Sequence, residues 1–318
     1  MNVIYDLNTL QAPLQSPVIT IGNFDGVHKG HLALFNMVKQ RAKALGGQSA
    51  VMTFEPHPIR LMKPEKSTPL ITPITQKLEL IGRAGMDVIF CIPFTREFAA
   101  ITAEDFVSKI LLGKIGVKEV VVGYDYTFGH ERRGNVEFLR EMGAKEGFQV
   151  HVIGPIHVDN NLVSSTSIRA LVQEGRLSEA RALLGRDYQI SGTVVKGKNR
   201  GGRLLGFPTA NLTLTNELIP KKGVYAVFVN VEGRTYSGVT NIGYNPTFGD
   251  TALTLETYLL DFSGDLLGNT IRVNFIQRLR DERSFESIEA LSEQIGKDVH
   301  QARKILGAHG EDGTLLEN

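Results

Sequence analysis

The segment that most constrains the fold of this chain is Gly-Asn-Phe-Asp-Gly-Val-His-Lys-Gly-His at residues 22–31. It follows the β-branched apolar run 18–21 and precedes a helical pattern over 31–45, where apolar residues recur on one face. A strand, a glycine-containing turn and a helix in this order present backbone N–H groups at the helix start to a phosphate. The segment therefore predicts a nucleotide site.

His28 and His31 are three residues apart, so they share a face of the first helical turn. Two imidazoles beside a helix N-terminus can donate hydrogen bonds to phosphoryl oxygens and stabilise charge that develops in a transition state. The short pattern also fits a helix cap or half of a metal site. Zinc is disfavoured because the adjacent sequence has no cysteine or third histidine to complete a tetrahedral set.

Composition limits the class of protein. A chain of 318 residues predicts two domains. Its 35 basic and 34 acidic residues give a charge of +1, which argues against a nucleic-acid partner. The single cysteine, Cys91, excludes an intrachain disulfide and is expected to be a buried small hydrophobe. No secretory signal or membrane-length apolar run is visible, so we expect a cytoplasmic protein without a membrane partner; self-association stays open.

The first half of the chain alternates strand and helix patterns. Strands are predicted at 18–21, 50–54, 88–92, 119–123 and 149–153, with helices at 31–45, 75–84, 103–113 and 135–146. This alternation predicts a parallel sheet with helices on both faces and ligands at the carboxyl ends of the strands. His28 and His31 lie just beyond the carboxyl end of the first of these strands.

The second half has short β-branched and aromatic runs separated by turn residues. The predicted strands are 188–195, 224–231, 235–239, 253–260 and 270–276, which is typical of an antiparallel barrel or sandwich. An amphipathic helix is predicted over 287–306. The polar tail 309–318 is expected to be disordered.

Four blocks, in order, resemble the bacterial bifunctional riboflavin kinase/FMN adenylyltransferase family, also called FAD synthetase. They are 22–31, Thr-Phe-Glu-Pro-His-Pro at 53–58, Ser-Ser-Thr-Ser-Ile-Arg at 164–169 and Gly-Phe-Pro-Thr-Ala-Asn-Leu at 206–212. The resemblance spans nearly the whole chain. It implies a Rossmann-like FMN adenylyltransferase domain over 1–184 and a six-stranded riboflavin kinase barrel with a C-terminal helix over 185–308. It also implies that riboflavin is phosphorylated to FMN with ATP and Mg²⁺, and that FMN is adenylylated to FAD with release of pyrophosphate.

For the adenylyltransferase domain, the resemblance implies that His28 and His31 bind ATP phosphates and stabilise the transition state. The other implied ATP or phosphate contacts are Gly22, Asn23, Phe24, Asp25, Gly26, Gly30, Ser164, Ser165, Thr166 and Arg169. The serine block alone would also fit an ordinary N-cap. In the loop after the fourth of the predicted strands, Asp125, Tyr126 and Phe128 are candidate flavin contacts, although aromatic residues more commonly pack in cores. The role of His57 stays open.

For the kinase domain, the resemblance implies a Mg-ATP site at Thr209 and Asn211. These two residues are two positions apart on a predicted strand, so their side chains lie on the same face. A Thr hydroxyl and an Asn carbonyl are hard oxygen ligands that suit Mg²⁺. The other implied ATP contacts are Gly197, Lys198, Gly206 and Pro208; their basic glycine-rich loop alone would also fit a solvated hairpin. Glu256 matches the family's catalytic carboxylate, a general base toward the riboflavin hydroxyl.

Two residues depart from the family pattern. Tyr258 stands where the family usually has His, and Asn245 where it usually has Arg. Arg278 and Arg280 could supply the lost charge, and with Tyr258 they are candidate flavin contacts. The departures leave open a divergent paralogue with one active domain, whose barrel is a flavin-binding or regulatory module. A nucleotidylyltransferase for another substrate is a weaker alternative because it does not explain Pro-Thr-Ala-Asn at 208–211.

Overall fold

The computed structural model describes residues 2–196, 207–244 and 253–311. Its first unit is built on a six-stranded parallel sheet with strand order β1-β4-β3-β2-β5-β6. The strands are β1 Asn2–Ile4, β2 Val18–Ile21, β3 Ser49–Glu55, β4 Val88–Pro93, β5 Glu119–Gly123 and β6 Gln149–Ile153. The predicted parallel sheet is confirmed, and the added edge strand β1 pairs with β4.

Both faces of this sheet are covered. All four residues of β2 are buried, with Ile19 and Ile21 in one apolar cluster and Val18 in another. A parallel strand buried on both faces explains why 18–21 is continuously β-branched rather than alternating with polar residues.

The helices of the first unit follow the predicted order. They are α1 Lys29–Ala44, α2 Pro58–Met62, α3 Ile74–Arg83, α4 Arg96–Ala99, α5 Ala103–Asp105 and α6 Val136–Glu146. The helix predicted at 103–113 differs, because α5 continues as a π-helix over Phe106–Ile115. A short hairpin of β7 His157–Val158 and β8 Asn161–Leu162 follows β6.

The second unit contains a closed antiparallel barrel with strand order β10-β13-β12-β11-β14-β9, which decides between the predicted barrel and sandwich. Its strands are β9 Tyr188–Val195, β10 Ala210–Leu214, β11 Gly223–Val231, β12 Arg234–Tyr244, β13 Leu253–Leu259 and β14 Thr270–Arg280. β12 and β14 extend beyond the predicted 235–239 and 270–276. Their added residues carry ladder pairing that apolar patterning alone did not reveal.

In the part of the chain that the structure describes, the helices after the first unit are α7 Ser165–Glu174, which begins at the last residue of that unit, α8 Leu177–Leu184 and α9 Ile288–Glu311. The chain divides compactly into Met1–Ser165 and Thr166–Asn318, which is before the predicted domain boundary near Gly185, since α8 packs on β9 and β14. Helix α9 extends to Glu311 and so overlaps the first residues of the polar tail at 309–318, whose disorder stays a prediction. Residues 312–318 lie outside the described residues.

Candidate active sites

The segment 22–27 forms a tight loop at the carboxyl end of β2. Phe24 and Val27 have φ of 49° and 38°, a left-handed conformation that side-chain-bearing residues rarely adopt. Such backbone costs on the order of 1–3 kcal/mol per residue and persists only where its surroundings enforce it. Strained backbone of this kind clusters at ligand sites. The contacts that hold this loop therefore define the site.

The carboxylate of Asp25 holds the loop from inside. It is buried and accepts hydrogen bonds from the Ile71 N–H at 3.0 Å and the Thr72 N–H at 3.2 Å. In return, the Gly26 N–H donates to the Thr72 hydroxyl at 3.2 Å. The segment at 71–72, to which the sequence assigned no role, is thereby tied to the loop.

Two of the predicted motif blocks reach the loop through single hydroxyl groups. The Thr53 hydroxyl donates to the Asn23 carbonyl at 3.1 Å, and the Ser165 hydroxyl donates to the Asp25 carbonyl at 2.9 Å. Ser164 is half-buried beside Ser165. Thr166 and Arg169 lie on α7 in the second unit, where Thr166 is exposed and Arg169 is half-buried.

His28 and His31 form a reciprocal cap at the start of α1. The His31 N–H donates to His28 Nδ1 at 3.4 Å, and the His28 N–H donates to His31 Nδ1 at 3.3 Å. The rings stack with centroids 3.5 Å apart. Because both Nδ1 atoms accept, each neutral imidazole carries its proton on Nε2, so both Nε2 atoms are donors. The cap interpretation therefore holds, and the same cap fixes the tautomer that a phosphate-binding histidine needs.

The two flanking glycines make room for aromatic rings. A Cβ on Gly30 would lie 3.1 Å from the His28 ring, and a Cβ on Gly22 would lie 3.0 Å from the Phe24 ring. Phe24 is buried and packs edge-on against His31, with ring centroids 5.2 Å apart. The side chain of Phe24 thus supports the histidine pair from the apolar core.

The loop after β5 holds the candidate flavin contacts of the first unit. Asp125 is exposed, whereas Phe128 is buried against Phe106 and Phe138 in an aromatic cluster. Tyr126 stacks on Phe128 at 5.5 Å between ring centroids, and burial raises the pKa of its hydroxyl. Phe128 is therefore a core residue, the commoner use of an aromatic side chain. The flavin contacts of these three residues stay predictions.

The candidate kinase carboxylate, Glu256, lies on the outer face of the barrel. Its neighbours Leu255 and Thr257 are buried inside, and Glu256 is half-buried. In the strand register Glu256 lies directly opposite Asn211 of β10 and, on its other side, opposite Asn241 of β12. Directly opposed residues share a face, so the three side chains form one polar row. Asn241 is the member of this row that the sequence analysis missed.

Tyr258, the departure beside Glu256, contacts the motif that contains Thr209. Its ring packs edge-on against Phe207, with centroids 5.4 Å apart. Thr209 is half-buried and Pro208 is exposed. Three predicted ATP contacts and the second departure lie outside the described residues: Gly197, Lys198, Gly206 and Asn245.

Arg278 and Arg280 have structural partners in the second unit. Arg280 forms a bidentate ion pair with Asp298 of α9, with the shortest nitrogen–oxygen distance at 2.8 Å. Arg278 donates to the Lys222 carbonyl and to the Asp281 carboxylate, both at 2.6 Å. The two guanidinium groups fasten strand, loop and helix, and their flavin contact stays a prediction.

Among the described residues, no group of three or more His, Cys, Asp and Glu side chains is arranged to hold a metal ion. The zinc interpretation of the histidine pair thus gains no further ligands there. Within the same part of the chain, no helix has the length and apolar character needed to cross a membrane.

The fold and these sites define a nucleotide-binding α/β unit joined to a closed barrel with a carboxylate on its outer face. Two family models match the chain: FAD synthetase over residues 10–167 and riboflavin kinase over residues 184–306. The chain belongs to the family of bifunctional riboflavin kinase/FMN adenylyltransferases. It is 39% identical to the Pseudomonas fluorescens member, covering 96% of this chain and 98% of that protein.

Other relatives agree over similar lengths. The Escherichia coli K12 bifunctional riboflavin kinase/FMN adenylyltransferase is 38% identical, covering 94% of this chain and 96% of that protein. The crystal structure of a macrolide-efflux protein from Streptococcus pneumoniae superposes with a TM-score of 0.86 at 31% identity, covering 95% of this chain and 98% of that one. The family resemblance predicted from the four sequence blocks is confirmed.

Proposed function

We propose that this chain makes FAD from riboflavin in two ATP-dependent steps, one in each domain. The barrel phosphorylates riboflavin to FMN, and the α/β domain adenylylates FMN to FAD. The observation that carries this proposal is the match of both family models, in order, to the two folded units. Because both halves match, the paralogue with one active domain is not favoured.

In the adenylyl transfer, an oxygen of the FMN phosphate attacks the α-phosphorus of ATP, and the bond to the β-phosphate oxygen breaks to release pyrophosphate. No covalent enzyme intermediate is required, so positioning and charge stabilisation supply the rate. We assign His28 and His31 to this role through their Nε2–H donors. The fixed tautomer supports the assignment, since it keeps a proton on each Nε2, the atom that would donate to a phosphate oxygen.

In the kinase step, the riboflavin 5′-hydroxyl attacks the γ-phosphorus of ATP and loses its proton, and the bond from the γ-phosphorus to the oxygen that bridges it to the β-phosphorus breaks to release ADP. We assign Glu256 as the base that accepts this proton. The side chains of Thr209 and Asn211 fit a Mg²⁺ ion because they offer uncharged hard oxygens beside a carboxylate. When bound, the ion would neutralise charge on the ATP phosphates. Asn211 lies opposite Glu256 in the strand register, so a nucleotide held by Asn211 would lie next to the base.

The direct test is a time course with purified protein, ATP and Mg²⁺, started in parallel from riboflavin and from FMN. Chromatography separates riboflavin, FMN and FAD. FAD from both starting points, with FMN appearing first from riboflavin, supports both activities. FAD from FMN alone would restrict the function to the first domain, and no FAD from FMN would overturn the adenylyltransferase assignment.

We place both reactions in the cytoplasm and expect only small-molecule partners.

A further inference from the structure

Lys77 is a buried lysine that none of the motif blocks contains. It lies on α3 and is only 4% exposed, although lysine is almost never fully buried without a partner. Its ammonium donates to the Asn23 carbonyl at 3.2 Å and to the Phe54 carbonyl at 3.3 Å. The Asn23 carbonyl belongs to the loop after β2, called the nucleotide loop below, and the Phe54 carbonyl lies near the carboxyl-terminal end of β3.

The surroundings of the ammonium show how costly its position is. Burial lowers the pKa of Lys77, while the nearby Glu55, Cys91 and Asp25 act in the opposite direction. An apolar side chain at this place on α3 would avoid the cost of burying the ammonium but would remove its hydrogen bonds to the Asn23 and Phe54 carbonyls.

The contact with Asn23 sets the direction of one backbone donor. The Asn23 carbonyl receives both Lys77 and the Thr53 hydroxyl, which fixes the plane of the Asn23–Phe24 peptide. In a trans peptide the following N–H points away from the carbonyl, so the Phe24 N–H is directed away from Lys77. That N–H makes no hydrogen bond to any residue the structure describes. Phe24 also has the left-handed φ of 49°, a conformation that needs external support.

We propose that Lys77 is a positioning residue for adenylyl transfer, which holds the Asn23–Phe24 peptide so that the Phe24 N–H faces the ATP phosphates. The inference rests on the proposed role of the 22–31 segment in binding ATP. Lys77 acts through the loop and does not itself contact the nucleotide. A preorganised backbone donor of this kind contributes to both binding and transition-state stabilisation.

The test compares Lys77→Met, Lys77→Arg and the control Lys39→Met in the full chain. Lys39 also donates to a backbone carbonyl, that of Ala84 at 2.6 Å, but it is not on the nucleotide loop. We expect Lys77→Met to raise the KM for ATP in FMN adenylylation about tenfold and to lower kcat about tenfold. Lys77→Arg, which keeps the charge, recovers part of both. Riboflavin phosphorylation by each variant, and both reactions of Lys39→Met, stay within about twofold of the parent.

A second variant covers the case in which Lys77→Met does not fold. Thr53→Val is nearly isosteric and removes the other donor to the Asn23 carbonyl, so it should raise the KM for ATP about threefold. An unchanged KM for ATP in Lys77→Met, or in Thr53→Val if only that variant folds, overturns the inference. Replacing His28 and His31 tests the proposed function separately: if those variants lose FAD formation while Lys77→Met does not, only the inference fails.

Discussion

His28 and His31 each accept the other's backbone N–H through Nδ1, at 3.4 and 3.3 Å, so that one capping interaction sets the tautomer of both rings. The cap interpretation and the catalytic interpretation of this pair are therefore compatible. The cap uses Nδ1 and leaves the proton on Nε2 of each ring, the atom proposed to meet phosphate oxygens.

Replacing His28 alone separates these two uses. In His28→Ser, serine keeps an N-cap side chain but has no imidazole, so the helix should lose little stability. We expect FMN adenylylation by this variant to fall by about 10²–10³, while riboflavin phosphorylation persists. Rates of FAD formation from FMN and melting temperature, measured together, check this. A parent-like rate would remove His28 from the catalytic account.

Replacing Glu256 tests the barrel site. Glu256→Gln keeps shape and hydrogen bonding but cannot accept a proton at neutral pH. We expect FMN formation from riboflavin to fall at least about 10²-fold, with FMN-to-FAD conversion unchanged. The matched control is Glu286→Gln, at an exposed position after β14. Equal loss of both activities in a folded Glu256→Gln protein would falsify the division of labour between the domains.

Tyr258 contributes through its ring, because it packs edge-on against Phe207 beside the Thr209 motif. Tyr258→Phe and Tyr258→His keep an aromatic ring and should retain riboflavin kinase activity within about threefold. Tyr258→Ala removes the contact and should raise the KM for ATP about tenfold. If Tyr258→His instead increased kinase activity more than tenfold, the tyrosine would be an impairing substitution rather than a packing one.

The Arg280–Asp298 pair predicts a stability effect. Arg280→Met leaves the Asp298 carboxylate, 4% exposed, without its cation, at a cost of about 3 kcal/mol in unfolding free energy. The control Arg303→Met breaks the exposed pair with Asp261 and should cost less than about 1 kcal/mol. Urea unfolding measures both. Unchanged stability with a raised KM for riboflavin would instead favour a flavin contact for Arg280.

Glu119 predicts a pH dependence of stability in the first unit. Its buried carboxylate accepts from Arg41 and from His151, each at 2.7 Å, and the Arg41 hydrogen bond is the main reason that the pKa of Glu119 is lowered from 4.5. A lowered pKa stabilises the fold above the unfolded value, and this stabilisation is lost as pH falls through the folded value. As the pH falls from about 7 to about 3, the free energy of unfolding of Glu119→Gln should therefore decrease less than that of the exposed control Glu137→Gln. Equal acid sensitivity in the two variants would contradict this.

The sequence predicted the elements that carry local patterns. The continuous β-branched run at β2 and the alternating runs of the barrel reflect burial on two faces and on one face, which can be read from neighbouring residues. The three-residue strand β1 was missed because Asn2–Ile4 is too short for any periodicity, and its pairing with β4 is set by tertiary contacts. The π-helix over Phe106–Ile115 was missed for a related reason, since apolar spacing does not distinguish it from an α-helix.

The candidate sites divide in the same way. Motif residues that bond along the chain, such as His28 and His31, were found because their spacing is local. Lys77 and Thr72 were missed because they are far in sequence from Asn23 and Gly26, which they contact. The residues around them show only the pattern of an ordinary helix start. Asn241 was missed because only the register of the folded barrel shows that it lies opposite Glu256.

The most direct test of two separate sites mixes two full-length variants, each of which lacks a different one of the two activities. The Glu256→Gln protein and a His28→Ser, His31→Ala protein are each incubated alone with riboflavin, ATP and Mg²⁺, and then together. Neither should make FAD alone, while the histidine variant should accumulate FMN. The mixture should form FAD, because FMN released by one protein is adenylylated by the other. A mixture that accumulates FMN without FAD, although Glu256→Gln converts added FMN, would contradict free passage between independent sites; FAD from the histidine variant alone would contradict the assignment of the histidines.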